Sequence, residues 1–232
     1  MMGFDLNTIA YTVSVWTLPI LLAVTLHEAA HGWVAMKLGD PTAKLLGRVT
    51  FNPFKHIDPM GTVIIPVLML LLSGGRMMFG FAKPVPVDFR RLKNPRRDMI
   101  LVAAAGPGMN LAIALICAAS FHLAYLLDGD ARDWAMHNLG NALWINLLLA
   151  VFNMLPIPPL DGGRVAVGIL PFPLAQRLAR LERAGIFIVL GAIFFLPWIG
   201  GMIGLDLNVF RWLVITPTSH LQDLILALVG LG

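Results

Sequence analysis

Long uncharged intervals dominate the pattern of hydrophobic and polar positions along this chain of 232 residues. Four of them approach or exceed the roughly 20 residues that a membrane-spanning helix needs. They are Leu6–Met36, which only Glu28 interrupts, and Met99–Leu127, Trp134–Leu160 and Ala184–Leu205. The pattern therefore predicts an all-α polytopic membrane protein.

Two further apolar stretches are less regular. Pro59–Gly75 has a strongly apolar centre of only Val63–Leu72, which is short for a span, and polar residues interrupt the stretch after Asn208. We therefore expect about five to six apolar segments in one integral membrane domain, residues 1–232. Its core helices should cover about 8–36, 98–127 and 134–160, with a short or re-entrant segment at about 61–75 and C-terminal segments at about 184–205 and 208–231.

Composition supports the membrane class, because 58% of the residues are hydrophobic and only 13% are charged, against roughly 25% charged in soluble domains. The net charge of +4 comes from basic residues in loops beside apolar helices, which indicates membrane topology and no nucleic-acid partner. The single cysteine, Cys117, excludes an intrachain disulfide. The first helix should be retained, since no basic region precedes it.

Charge also predicts the orientation of the segments. The basic stretches 37–55 and 76–97 should both be cytoplasmic, so the short stretch between them should be re-entrant and the acidic loop around Asp128–Asp133 should lie outside. A competing topology keeps the short stretch as a full span and leaves one basic loop on the wrong side. In the first topology, His31 and His27 lie roughly 9 and 15 Å below the cytoplasmic boundary.

One charge interrupts the first apolar interval: Glu28 lies between two histidines in His27-Glu28-Ala29-Ala30-His31. A carboxylate in a membrane helix costs roughly 2.5–3.5 kcal/mol on insertion scales, so an intramembrane ionisable residue indicates a functional site. Residues four apart share a helix face. His27 and His31 can therefore bind one metal ion, with Glu28 beside it as a general base.

A catalytic zinc ion usually has three protein ligands and one position open for water. The candidate for the third ligand is Asp161, which closely follows three prolines, Pro156, Pro158 and Pro159. Because prolines cannot continue a regular helix, this segment should unwind and present Asp161 at the membrane edge on the side of His31. Taken alone, Asp161 could equally be a loop residue that caps the next helix.

These motifs together resemble the site-2 protease family of intramembrane zinc metalloproteases, in its short bacterial form without a PDZ domain. The histidine motif is joined by Gly106–Asn110 in the next long apolar segment and by Asn153–Gly162, which ends in Leu-Asp-Gly. The stretches Phe51–Phe54 and Ala82–Val87 are also similar to those of short bacterial members. The resemblance implies a three-helix catalytic core with additional transmembrane helices, and zinc bound by His27, His31 and Asp161 with Glu28 activating the water.

The resemblance further implies a zinc metalloendopeptidase that cleaves within or near transmembrane segments of membrane-protein substrates, in regulated intramembrane proteolysis. Its partners would be a single-span substrate segment and the lipid bilayer, and its location the bacterial inner membrane, with the site towards the cytoplasm. Asn153 or Asn110 could stabilise the developing charge on the scissile carbonyl. For each asparagine an interhelical hydrogen bond is an equally good explanation.

A scissile bond must be extended, which suggests a small membrane-associated β element after the first helix. Leu46–Phe51 contains β-forming residues and could pair with Val85–Phe89 to offer an edge to the substrate. We expect His56 and Asp58, by contrast, to be solvent-accessible turn residues. Two other classes of function remain open: a membrane zinc carrier, and an inactive membrane scaffold that keeps the fold.

Overall fold

Long helices occupy the uncharged intervals in the computed structural model, which describes residues 6–65, 68 and 83–232. The helices are α1 (Leu6–Leu38), α2 (Thr42–Leu45), α3 (Pro95–Ala124), α4 (Gly129–Asn153), α5 (Asp161–Ile169), α6 (Phe172–Ala179), α7 (Glu182–Ile203) and α8 (Thr216–Leu228). Short 3₁₀ or π-helical turns cover Pro53–Lys55, Pro59–Ile64, Phe89–Arg91 and Arg211–Ile215, and α7 contains a π-helical turn at Gly191–Phe195.

Three of these helices, α1, α3 and α4, pack together as the core of the protein. His31 near the end of α1 contacts Val102 near the start of α3, so these two helices run antiparallel. Asn141 of α4 bonds to the carbonyl of Val15, and Tyr11 bonds to His137 of the same helix, so α4 runs parallel to α1. The end of α1 therefore lies at the same end of the bundle as the end of α4.

Small residues fill the contacts between the core helices. Ala23, Ala103, Gly106, Ala114 and Ala150 are all buried there. In a bilayer, helices associate through close packing and hydrogen bonds, because lipid is as apolar as the helix surface, and small side chains allow that approach. The small residues thus bring polar groups of neighbouring helices within hydrogen-bonding distance.

Four helices in the described part of the chain are long and apolar enough to cross a membrane: Ala10–Leu38, Pro95–Ala124, Gly129–Asn153 and Glu182–Ile203. The apolar stretch predicted at about 61–75 lies largely outside the described residues. The segments before and after this stretch are hydrogen-bonded to each other, because the Lys93 amide donates to the Leu38 carbonyl at 3.1 Å. The described residues on either side of the stretch therefore lie at one end of the bundle.

Two features differ from the sequence-based expectation. The third core helix ends at Asn153 instead of about residue 160, because the prolines that follow supply no amide to continue it. The small β element is not present in the described residues: Leu46–Phe51 forms turns and Val85–Asp88 has no regular partner. Pro84 and Pro86 lack the N–H groups that a strand ladder would need.

The C-terminal stretch 208–231 packs against the core. Ile225 of α8 lies in a buried cluster with Ala114, Leu143 and Leu147 of α3 and α4. At the end of the chain, the His122 imidazole bonds to the Val229 carbonyl at 2.7 Å.

Candidate metal centre and catalytic cavity

Three side chains that are far apart in sequence converge at the end of the core bundle: His27 and His31 of α1, and Asp161 at the start of α5. The two Nε2 atoms are 3.1 Å apart, and Asp161 Oδ2 lies 3.2 Å from His27 Nε2 and 3.3 Å from His31 Nε2. All three residues are buried. The structure thus brings together the two predicted histidines and the predicted aspartate.

The outer nitrogen of each imidazole has a fixed partner. His31 Nδ1 donates to the Val102 carbonyl at 2.7 Å, and His27 Nδ1 lies 2.6 Å from Asn110 Oδ1. The Asn110 amide donates to the Ala23 carbonyl and to Asn146 Oδ1, so its own oxygen must accept from His27. With hydrogen on each Nδ1, a neutral imidazole presents a lone pair at Nε2.

The donor set fits a zinc ion. Two imidazole lone pairs and a carboxylate oxygen face one another at 3.1–3.3 Å, and such acceptors repel unless a cation lies between them. Ligand atoms of a tetrahedral site with bonds of about 2.0 Å are separated by roughly 3.3 Å. The outer hydrogen bonds to Val102 and Asn110 are of the kind that orient histidine ligands and set their tautomer.

The proline segment and three glycines position Asp161. Backbone of 154–158 lies directly against Gly162, Gly163 and Gly185, where any Cβ atom would overlap it. At its other end, α5 is attached to α3, because Arg96 Nε donates to the Gly168 carbonyl at 2.9 Å. Asp161 is therefore held from both sides, and its place depends on close backbone packing that only glycine permits.

Gly106 of α3 lies directly against the two histidines. A Cβ added there would come within 2.6 Å of His27 Nε2 and closer still to His31 Nε2. Replacing this glycine requires the imidazoles or the helix to move. The stretch Gly106–Asn110 thus serves the centre in two ways, with a glycine that makes room for the rings and an asparagine that holds one of them.

We expect Gly106→Ala to lower zinc affinity about 10- to 100-fold, as loss of an outer contact commonly does, since the methyl group displaces the ligand rings. Competition for zinc with a chelating dye measures this. Gly108→Ala is the matched control, because Gly108 is on the same helix and an added Cβ meets nothing within 4 Å. Equal zinc affinity in the two variants would contradict the prediction.

A cavity of about 680 Å³ opens beside the metal centre. Glu28 lines it together with the three residues of the centre, and most of its remaining wall is apolar, including Ile20, Val24 and Phe152. The Glu28 carboxylate accepts a hydrogen bond from the Val85 amide, with 2.7 Å between Val85 N and Glu28 Oε2. A carboxylate, a possible metal site and an apolar groove therefore share one space.

The two candidate asparagines occupy different positions. Asn153, at the end of α4, lines the cavity, and its amide donates one hydrogen bond to the Leu149 carbonyl at 3.0 Å. One amide hydrogen therefore remains for another acceptor. Asn110 is completely buried behind His27, and both of its amide hydrogens have partners.

Of the two residues expected to be solvent-accessible turn residues, His56 departs from the expectation and Asp58 does not. His56 is buried, not solvent-accessible; it lines the cavity and bonds to the Thr50 carbonyl at 3.2 Å. Burial lowers its pKa, so the ring is neutral at pH 7. Asp58 caps the π-helical turn that follows, accepting from the Gly61 amide at 2.7 Å.

Sequence reasoning missed three contributors to this region: the Val102 carbonyl, the Val85 amide and the buried Arg48. The first two act through backbone atoms, which leave no mark on residue type. Arg48 was missed because it is a charged residue in a loop and belongs to no recognisable motif. One sequence feature does indicate the Val85 donor. Pro84 and Pro86 on either side of Val85 predict an extended segment in which the Val85 amide is an isolated backbone donor.

Comparison with known proteins identifies similar sequences over most of the chain. The family model described as Peptidase family M50 matches residues 15–128 and 122–197. The protein named Putative zinc metalloprotease YwhC, from Bacillus subtilis, is 38% identical over 201 residues, which are 84% of this chain and 84% of that protein. No solved structure matches.

Two mycobacterial proteins are similar over a shorter part. Putative zinc metalloprotease Rip2 of Mycobacterium tuberculosis is 35% identical over 143 residues, or 61% of this chain and 52% of that protein. Zinc metalloprotease Rip1 of Mycobacterium bovis is 30% identical over 132 residues, or 55% of this chain and 30% of that protein. Against both, the similarity covers about half or less of the longer relative.

Proposed function

The chain belongs to peptidase family M50, and from this we propose that it hydrolyses peptide bonds within or beside transmembrane segments of other membrane proteins. It is a multi-pass membrane protein and a zinc metalloprotease of the site-2 protease type. The proposal adds where the substrate is cut and which residues cut it. We assign His27, His31 and Asp161 as the zinc ligands and Glu28 as the general base.

One observation carries this proposal: the three prospective ligand atoms lie within 3.3 Å of one another on the wall of an apolar cavity that also contains Glu28. An apolar groove between membrane helices suits an apolar peptide that has unwound from a transmembrane helix. A soluble peptide rich in charged side chains would lose its hydration there without compensation.

Zinc bound by His27, His31 and Asp161 would supply a Lewis acid that polarises the scissile carbonyl and lowers the pKa of a water molecule towards about 7. Glu28 would accept a proton from the attacking water and later deliver that proton to the leaving amine. The wall around Glu28 is mostly apolar, so the charge of the carboxylate is less screened there than in bulk water.

The two asparagines have separate roles in this proposal. Asn153 donates its free amide hydrogen to the carbonyl oxygen as negative charge develops, since it lines the cavity. Asn110 instead orients His27, as a hydrogen-bond acceptor for the outer ring nitrogen. Asn146 in turn holds Asn110 in place, because its side-chain oxygen accepts from the Asn110 amide at 2.8 Å.

We further propose that the site faces the cytoplasm, in the bacterial inner membrane. The end of α1 carries Lys37, and the adjoining start of α3 carries Arg96 and Arg97, while the opposite end of the bundle carries the acidic loop Asp128–Asp133. Positive residues collect on the cytoplasmic side. Cleavage would then release a product towards the cytoplasm.

Mapping of the cleavage site tests the proposal. The purified protein and a single-span substrate are reconstituted in the same vesicles, and the products are sequenced by mass spectrometry. We expect cuts inside the transmembrane segment or within about one helical turn of its cytoplasmic end, because the two histidines lie in the inner half of α1. Cleavage confined to loops remote from the membrane would contradict the proposal.

A further inference from the structure

An extended segment, Lys83–Asp88, lies along the catalytic cavity, and we call it the strap. It has no regular secondary structure, and Pro84 and Val85 line the cavity together with Glu28. Val85 at its centre is buried. The strap is therefore part of the cavity wall, next to the proposed general base.

Buried groups outside the metal centre hold both ends of the strap. Arg48 Nη2 donates to the Lys83 carbonyl at 2.6 Å, and the Lys83 amide donates to the His56 carbonyl at 2.9 Å. At the other end, the Asp88 amide donates to Asp40 Oδ2 at 2.7 Å. Arg48 and Asp40 are 7% and 0% exposed, so these attachments are shielded from water.

The centre of the strap makes one hydrogen bond to the site, from Val85 N to Glu28 Oε2 at 2.7 Å. Pro84 and Pro86 on either side have no N–H, and each restricts the preceding residue to extended backbone. The Val87 amide has no hydrogen-bond partner in the described chain. The Val85 amide is thus the single donor that the central strap directs at Glu28.

Close packing against α1 fixes the position of the strap along that helix. A Cβ on Gly32, the residue after His31, would lie 3.1 Å from a Val85 methyl group and 3.0 Å from one of Val49. Gly32 therefore lets the Val85 side chain rest on α1 one helical turn from Glu28. Packing and hydrogen bonds together leave the Val85 amide little freedom.

We propose that Val85 is a positioning residue of the hydrolytic site, whose backbone N–H holds the Glu28 carboxylate in the orientation needed for proton transfer. A glutamate side chain has several rotamers, and a charge-assisted hydrogen bond from a fixed amide selects one of them. That bond occupies Oε2 and leaves Oε1 to exchange the proton. The inference rests on the proposed function of Glu28 as the general base.

Replacement of Val85 by proline tests this inference, because it removes the N–H and remains compatible with an extended backbone. We expect Val85→Pro to lower kcat for a single-span substrate about 10- to 100-fold, with KM and zinc content unchanged. Val87→Pro is the matched comparison: Val87 also lines the cavity, and the change is the same in the same strap, but it removes an amide without a partner, so it should lose much less kcat than Val85→Pro. Val85→Ala, which retains the N–H, should lose less activity than Val85→Pro.

Several results would overturn the inference. Equal losses in Val85→Pro and Val85→Ala would mean that the side chain matters and the amide does not. An unchanged or raised kcat in Val85→Pro would mean that the hydrogen bond is dispensable, or that it restrains the enzyme. A rise in KM alone would mean that the strap only binds substrate.

A second variant covers the case in which Val85→Pro does not fold. Arg48→Ala removes one of the two hydrogen bonds at the start of the strap, at a residue that does not line the cavity, and it should lower kcat with zinc content unchanged, while Arg48→Lys should restore part of the loss. An unaltered kcat in Arg48→Ala would overturn the inference. The wild-type protein in the same assay separates the two proposals, since absence of any cleavage there would refute the proposed function and not the role of the strap.

Discussion

Glu28→Gln is expected to abolish measurable cleavage, with a loss of about 10²- to 10⁴-fold in kcat, while the protein retains its zinc. The amide has the size of the carboxylate and can still accept from the Val85 amide, but it cannot take a proton from water. Glu28 also lies outside the cluster of prospective ligand atoms, so metal binding should not change. Cleavage of a single-span substrate in vesicles and zinc analysis of the same sample measure both quantities.

Glu182→Gln is the matched control for this experiment, because Glu182 is the only other glutamate of the chain and is exposed at the start of α7. It should cleave at the wild-type rate. Near-normal cleavage by Glu28→Gln would show that another group is the base, and loss of zinc would show that Glu28 is a ligand. The same variant addresses the carrier hypothesis, since a zinc carrier would still move metal into vesicles after this change.

Asp161→Ala is expected to lose both zinc and cleavage. With this change only two histidines remain, which is one ligand fewer than a catalytic zinc site requires. The loss of zinc affinity should exceed the roughly 10- to 100-fold that removal of an outer partner costs. Zinc content after dialysis against a weak chelator, together with cleavage of the single-span substrate, measures the effect.

The melting temperature with and without zinc tests the same site independently. Zinc at about 1,000 times its dissociation constant stabilises a folded protein by roughly 4 kcal/mol, so the wild type should melt at a higher temperature with zinc than without it. Asp161→Ala should lose this difference, whereas the exposed Asp130→Ala should keep it. A zinc-dependent shift of the wild-type size in Asp161→Ala would exclude Asp161 as a ligand.

The metal centre shows how much of the site can be predicted from local sequence patterns. The histidine spacing placed His27 and His31 on one helix face, and three prolines predicted that Asp161 would leave its helix near the same end of the bundle. These arguments depend only on helix geometry and on the missing proline amide. The structure brings the three side chains to within 3.3 Å, but their outer partners, Val102 and Asn110, depend on the packing of α3 against α1.

The predicted β element shows what local sequence patterns cannot determine. β-forming residues in Leu46–Phe51 suggested a strand, but a strand needs a partner with free donors and acceptors at matching positions. Val85–Phe89 cannot supply them in succession, because Pro86 has no amide and the amides of Val85 and Asp88 bond to Glu28 and Asp40. The extended backbone of this segment therefore forms the strap alone and is not part of a sheet.

The sequence by itself determined the membrane class, the three core helices, the pairing of His27 with His31 and the presence of Glu28 beside them, because each follows from hydrophobicity or from helix periodicity over short distances. Tertiary structure alone decided that Lys93 contacts Leu38, which carbonyl and amide orient the histidines, and how Arg48, Asp40 and Val85 fix the strap on Glu28. Those contacts join residues tens of positions apart, often through backbone atoms. Their existence depends on the relative placement of whole helices, which no local pattern encodes.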